Sequence, residues 1–140
     1  LRERWLCYSM DLVQAVTEWL PGQRLRVAQT AGVEPNWEMA AYYPTAAHAC
    51  GRVRVVTLDR LSAQRGRPAV YLREAAVIEA EQKKGIGRWL VQRALNEFHS
   101  RGGGEMIAHV HHQQAVAQAM LPRVGFTESA FRGYTFDKAL

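Results

Sequence analysis

The chain has 140 residues, 48% of them hydrophobic and 22% charged, with a formal net charge of +5. That length suits one domain, residues 1–140, with a single core, and no apolar run approaches the roughly 20 residues that a membrane span needs. Two cysteines, Cys7 and Cys50, are too few and too scattered for a disulfide framework or a metal site, which fits a reducing, cytoplasmic setting.

No signal-peptide pattern opens the chain, and a start on Leu1 suits a trimmed native N-terminus. The positive charge is uneven. Between Arg52 and Arg73 stand six arginines against one acid, Asp59. Such a stretch could face a polyanionic cofactor or a nucleic acid, and it reads equally well as a solvated basic strand pair. No aromatic-interleaved basic motif or zinc spacing accompanies it.

In chain order, "WLCYSMDLVQAVTEWLPG" puts Leu12, Val13, Val16, Trp19 and Leu20 at helical spacing before Pro21-Gly22, which predicts one amphipathic helix. "RLRVAQ" and "WEMAAYY" are short apolar runs, either of which can be a strand. "GRVRVVTLDRL" and "AVYLREAAVIEA" are β-type runs separated by the turn-rich "SAQRGRP", so residues 52–79 read as a hairpin with a long loop. Ile86, Leu90, Val91, Ala94, Leu95 and Phe98 then form a helical stripe running to about Ser100, stopped by Gly102-Gly103-Gly104. "EMIAHV" predicts a strand, "QQAVAQAML" a short helix closed by Pro122, and "VGFTES" and "FRGYTFDKA" two closing strands. The succession argues for an α+β fold on a mixed sheet.

The junction "EQKKGIGRWL", Glu81 to Leu90, carries the chemistry. Glycines between a strand and a helix let the backbone approach a ligand and turn successive N–H groups outward. A helix N-terminus adds unpaired donors and partial positive charge, which suit phosphate, and Lys83, Lys84 and Arg88 strengthen that field. Neither the third glycine of the dinucleotide pattern nor the Gly-Lys-Ser/Thr of a nucleoside-triphosphate loop is present.

"YLREAAVIEAEQKKGIGRWLVQRAL", Tyr71 to Leu95, resembles the acetyl-coenzyme A binding core of the GNAT superfamily of N-acetyltransferases. The family signature Gln/Arg-x-x-Gly-x-Gly/Ala is matched by Gln82, Gly85 and Gly87. "QQAVAQAMLPRVGF", Gln113 to Phe126, is similar to the family's later helix with its terminal Gly-Phe. The resemblance implies a mixed central sheet with splayed strands flanked by helices. It also implies a pyrophosphate cradle of backbone amides from Gln82 through Lys83, Lys84, Gly85 and Ile86 to Gly87, supported by Arg88. Ala75 to Val77 would lie along the pantetheine arm, with the Val77 amide on the thioester oxygen.

On the same resemblance the activity is acetyl transfer from acetyl-coenzyme A to a primary amine in a ternary complex, with no metal. The family's usual tyrosine, four residues before the Gly of Gly-Phe, is Leu121 here, and the Asn commonly seven residues earlier is Gln114. Glu74, on the central strand, is the candidate general base, set against a plain ion pair with a nearby arginine. His109, His111 and His112 cluster after it; His112 is taken as the candidate from that group, and Tyr134 as a replacement proton donor. Two other functions fit: a non-catalytic acyl-coenzyme A binding protein acting through a partner, favoured by Leu121, and acetylation of a nucleic-acid-linked amine, favoured by the arginines. The closing strand Tyr134 to Lys138 could pair two copies into a homodimer.

Overall fold

The computed structural model describes residues 5–18 and 25–128. Seven strands, β1 (Trp5–Asp11), β2 (Arg26–Ala31), β3 (Asn36–Tyr42), β4 (Gly51–Thr57), β5 (Ala69–Val77), β6 (Glu105–His111) and β7 (Thr127–Glu128), form one sheet in the order β2-β3-β4-β5-β6-β1-β7. The helices are α1 (Asp59–Arg65), α2 (Ile86–Ser100) and α3 (Ala115–Val124). Strands β2 to β5 run as an antiparallel meander, β5 pairs parallel with β6, and β1 is antiparallel to both of its neighbours. The expected α+β mixed sheet is the one observed.

Alternation in the strands sorts the two faces. Trp37, Met39, Val53, Val55, Val70, Leu72, Met106, Ala108 and Tyr8 are buried, and the helical stripe Ile86, Leu90, Val91, Ala94, Leu95 and Phe98 joins them in one core. Each large aliphatic side chain buried there contributes on the order of 1.5–3 kcal/mol. Gly51 sets how close α2 lies: a Cβ there would come within 3.0 Å of Leu90 Cδ1 and of the Ala76 carbonyl oxygen. The other face carries Arg52, Arg54, Glu38, Glu74, Tyr71 and His109, all exposed or half-buried.

Three expectations change, and one left open is decided. The predicted first helix is instead β1 followed by an extended segment to Glu18; Trp19 and Leu20 lie outside the described residues. β1 inserts beside β6, pairing along its whole length from Trp5↔His111 to Asp11↔Glu105. This contact with a strand a hundred residues away outweighs the local helical spacing. Val13, expected on the apolar stripe, is 78% exposed. "RLRVAQ" and "WEMAAYY" both prove to be strands.

The loop between β4 and β5 contains α1, which the turn-rich composition hid. Ser62 holds it: its hydroxyl donates to the Leu58 carbonyl at 2.7 Å and accepts from the Ala69 amide at 2.8 Å. α3 runs through Pro122 to Val124, with its end closed by the Gly125 and Phe126 amides on the Leu121 carbonyl. "FRGYTFDKA" lies outside the described residues.

The segment after β1 is held by one side chain. Asn96, on α2, accepts from the Val16 amide at 2.8 Å and donates to the Val16 carbonyl at 2.9 Å, replacing both bonds that a helix would have supplied. It donates as well to Glu18 Oε2 at 3.0 Å. Asn96→Ala should therefore lower stability by about 1–3 kcal/mol in urea unfolding, because the Val16 backbone groups lose their partners. Val13→Ser should change it by less than about 0.5 kcal/mol; a large Val13 effect would restore the helix expected from spacing.

Candidate active site

The site begins where two strands part. β5 and β6 pair from Ala69↔Glu105 to Leu72↔Ala108 and no further, while β5 continues along β4 and β6 along β1. A bulge marks the break: Arg54 faces Glu74 and Val55 faces Leu72, so Arg73 is the extra residue of β5. Bulges bend a strand and re-aim its side chains. Beyond it the facing edges of Ala75–Val77 and His109–His111 stand open, as the expected splay requires.

The backbone phase at that edge follows from one bond. The Ile78 amide donates to the Cys50 carbonyl at 3.0 Å, towards β4. Peptide groups alternate along a strand, so the Val77 and Ala75 amides point the other way, towards the gap. The Val77 carbonyl on that side accepts from Gln82 Nε2 at 3.1 Å, which ties the glycine loop to the strand.

A 3-10 turn, Glu79–Glu81, leads into this loop. Lys83 (φ 67°) and Gly85 (φ 84°) both take left-handed backbone, which turns the chain into α2. The first helical bond runs from the Trp89 amide to the Gly85 carbonyl at 3.0 Å, so the amides of Ile86, Gly87 and Arg88 belong to the helix's open first turn. The Ile86 side chain is core, and only its backbone faces the cradle. Gly87 lies against the splayed strand, where an added Cβ would sit 3.5 Å from Val77 Cγ2.

The two lysines are not equivalent. Lys84 Nζ is 2.9 Å from Glu81 Oε1, which also accepts from the Tyr43 hydroxyl. The Tyr43 bond and then Lys84 hold the Glu81 carboxyl below its ordinary range, and Glu81 in turn raises the Lys84 ammonium. Lys83 is exposed, and Arg88 Nε is buried with no hydrogen-bond partner among the described residues.

The open face of the sheet carries the titratable groups. Glu74 lies opposite Arg54, with Oε1 3.6 Å from Arg54 Nε, and Arg54 also reaches Glu38 at 3.5 Å. Glu74 is thus ion-paired, the plain reading set against its role as a base, and it lies next to the point where β5 leaves β6. His109, not chosen over His112 from the sequence, sits at the closed end of the gap, next to the last paired residue Ala108, with its ring 5.2 Å from that of Tyr71. Burial pushes its imidazole below the usual 6.5 and pushes the Tyr71 phenol up. Alternation in "EMIAHV" placed His109 on the open face, but only the β5–β6 register sets it beside Tyr71.

The other candidates are placed apart from this cluster. His112 is in the exposed turn beyond β6, stacked at 4.5 Å on His111, its carbonyl accepting from Gln118 Nε2 at 2.6 Å. Gln114 closes that turn, exchanging bonds with the His111 amide at 3.0 Å and carbonyl at 2.9 Å. Leu121 is only 2% exposed and belongs to the core. Tyr134 lies outside the described residues, as does the proposed dimer strand.

The arginine excess is largely paired in space. Arg52 and Arg54 meet Glu38, Arg65 lies 2.9 Å from the buried Glu105, and Arg67 lies 2.7 Å from Asp11. Their acidic partners come from outside the basic stretch. Among the described residues no group of His, Cys, Asp and Glu could hold a metal ion, and no helix is long and apolar enough to cross a membrane.

The sheet is thus splayed at its centre, with the open N-terminus of α2 beside Val77 at the wide end of the gap. The chain belongs to the acetyltransferase (GNAT) family, whose family model matches residues 13–126. No curated protein sequence matches it.

Its fold is similar to that of a GCN5-related N-acetyltransferase from Sphaerobacter thermophilus (TM-score 0.70, 12% identity, 91% of this chain and 49% of that one). A Drosophila protein is similar at TM-score 0.66 and 12% identity, over 91% of this chain and 48% of that one. A GNAT-family protein from Novosphingobium aromaticivorans is similar at TM-score 0.63 and 8% identity, over 92% and 61%. At these identities the likeness is one of fold, and the chain spans about half the length of the first two.

The His109 environment predicts a sign for the pH dependence of stability. The unfolded chain takes up a proton near pH 6.5 and the folded chain only at lower pH. Stability should thus be fully present above pH 6.5 and decline as the pH falls below it. Thermal unfolding from pH 8 to 5 should show a shallower acid-side decline for His109→Gln than for the wild type; parallel curves would refute the burial effect.

Proposed function

We propose that this chain is an N-acetyltransferase domain that binds acetyl-coenzyme A between β5 and β6 and transfers the acetyl group directly to a primary amine. The observation that carries the proposal is the coincidence of the splay, the gap-facing Val77 amide and the open α2 N-terminus at one mouth. The amides from Lys83 to Arg88 would hold the pyrophosphate, with Lys83 and Arg88 adding charge and Lys84 shared with Glu81. The Ala75 and Val77 edge would pair with the amide-bearing arm of the cofactor.

Bound acetyl-coenzyme A supplies an acetyl thioester, whose C–S bond breaks as the acceptor's C–N bond forms. The Val77 amide donates to the carbonyl oxygen as negative charge develops there. Glu74, beside Arg54, takes the proton of the incoming ammonium and passes it to solvent. His109, neutral at pH 7 because burial disfavours its charged form, takes the second nitrogen proton and returns it to the leaving thiolate. This assigns to the β6 imidazole the part that buried Leu121 has no group to play. The burial of Leu121 also favours a second reading, in which the domain binds acyl-coenzyme A without turnover.

Calorimetric titration with acetyl-coenzyme A tests the cradle. Gly87→Ala should fold as stably as the wild type, since its Cβ meets Val77 only at ordinary contact distance. It should nevertheless bind acetyl-coenzyme A roughly tenfold or more weakly, because the methyl group lines the first turn that faces the phosphates. No binding by folded wild type would overturn the proposal. In a thiol-release assay with an amine panel, His109→Gln should lower kcat by roughly a hundredfold or more. Binding without any release in the wild type would establish the second reading.

A further inference from the structure

On the open face, beside the β5 bulge, lies a cavity of about 290 Å³ lined by Ala31, Asn36, Glu38, Arg54, Val56 and Arg73 among others. We infer that this cavity holds the acetyl acceptor, and that the acceptor is a small amine that also carries a carboxylate, of the α-amino-acid type, with that carboxylate on Arg73. The inference rests on the acetyl-transfer reading above and names the substrate class for the same site.

Arg73 is singled out by its place together with its lack of an ion pair. Of the six arginines from Arg52 to Arg73, Arg60 and Arg73 have no described carboxylate within 4.0 Å, and of these two only Arg73 lines the cavity. It is the extra residue of the β5 bulge and lines the cavity. A guanidinium offers a planar fork of donors that matches a carboxylate with two bonds. Glu74, the candidate base, is the next residue along the chain. Neighbouring cationic and anionic side chains thus meet neighbouring anionic and cationic groups, as the carboxylate and ammonium of an amino acid require.

The rest of the lining narrows the choice. Glu38 shares the cavity wall with Arg54 and is paired with Arg52 and Arg54 at 3.5–3.8 Å. A doubly charged phosphate would meet that carboxylate, whereas a zwitterion carries a group for each sign. Val56 and Ala31 supply a small apolar surface for a side chain. The volume is at the lower end for small-molecule sites, which suits an acceptor of amino-acid size and leaves little room for a folded partner's surface.

The test uses α-amino acids, each paired with the decarboxylated amine of the same skeleton. Thiol release would be measured with acetyl-coenzyme A for the wild type, Arg73→Ala and Arg73→Lys. The wild type should prefer at least one amino acid to its matched amine by roughly tenfold or more in kcat/KM, carried mainly by KM. Arg73→Ala should bring that ratio close to one and Arg73→Lys should restore part of it; loss of folding alone would not change a ratio between two acceptors. Equal use of both members of every pair, or a preference untouched by Arg73→Ala, overturns the inference.

Saturation-transfer NMR of the same pairs, without turnover, keeps the two readings separable. Carboxylate-dependent binding that is lost in Arg73→Ala, together with absent acetyl-coenzyme A binding, supports the cavity assignment and refutes acetyl transfer. Acetyl-coenzyme A binding and turnover of simple amines, with no carboxylate-dependent binding, does the reverse.

Discussion

The structure turns on an interruption: two parallel strands that stop pairing partway along. Open strand edges inside a fold cost hydrogen bonds, and buried peptide groups without partners are costly. Here each strand keeps its other neighbour. β4 carries β5 to Val77, and β1 carries β6 to His111, so only the two facing edges are released. The bulge at Arg73 gives β5 the bend that parts it from β6. Gln82, reaching back to the Val77 carbonyl, then fastens the loop that closes the mouth.

This arrangement explains why β1, the first strand described, must travel to the far half of the sheet. Without it, β6 would be bare on both sides beyond Ala108. The path from β1 onward is correspondingly fixed, with the Leu12 amide on the Gly104 carbonyl at 2.8 Å and Val16 held by Asn96 on α2. The helix whose open N-terminus lies beside the gap therefore also anchors the segment that follows the strand supporting the opposite wall. Packing and site share one element.

Much of the central half was legible from residues alone. The α2 stripe, the glycine junction before it and the order of strands around it rest on local periodicity and local turn chemistry, which a short window contains. The first strand was misread because Leu12, Val13 and Val16 mimic a helical face, while the partner that decides the matter lies a hundred residues away. α1 was missed because a turn-rich seven-residue helix bears little periodic signal. The arginine stretch looked like a polyanion surface because Glu38, Glu105 and Asp11, its partners, are distant in sequence. His109 was visible as one of three nearby histidines, but choosing among them required the register that sets it beside Tyr71.

The open face divides its labour between groups of opposite electrostatic character. Near the gap, burial favours the uncharged forms of His109 and Tyr71, and an uncharged imidazole is the form able to accept a proton at neutral pH. Alongside, Glu38, Arg54 and Glu74 form a row of alternating charge on adjacent strands. A row so nearly balanced exerts little net field on a distant ligand and discriminates only at contact. Arg73, thrown out of phase by the bulge, breaks the balance at one point. The distortion that opens the strand edge thus also places a charge without a carboxylate partner in the wall of the neighbouring cavity, and a single extra residue in β5 does both.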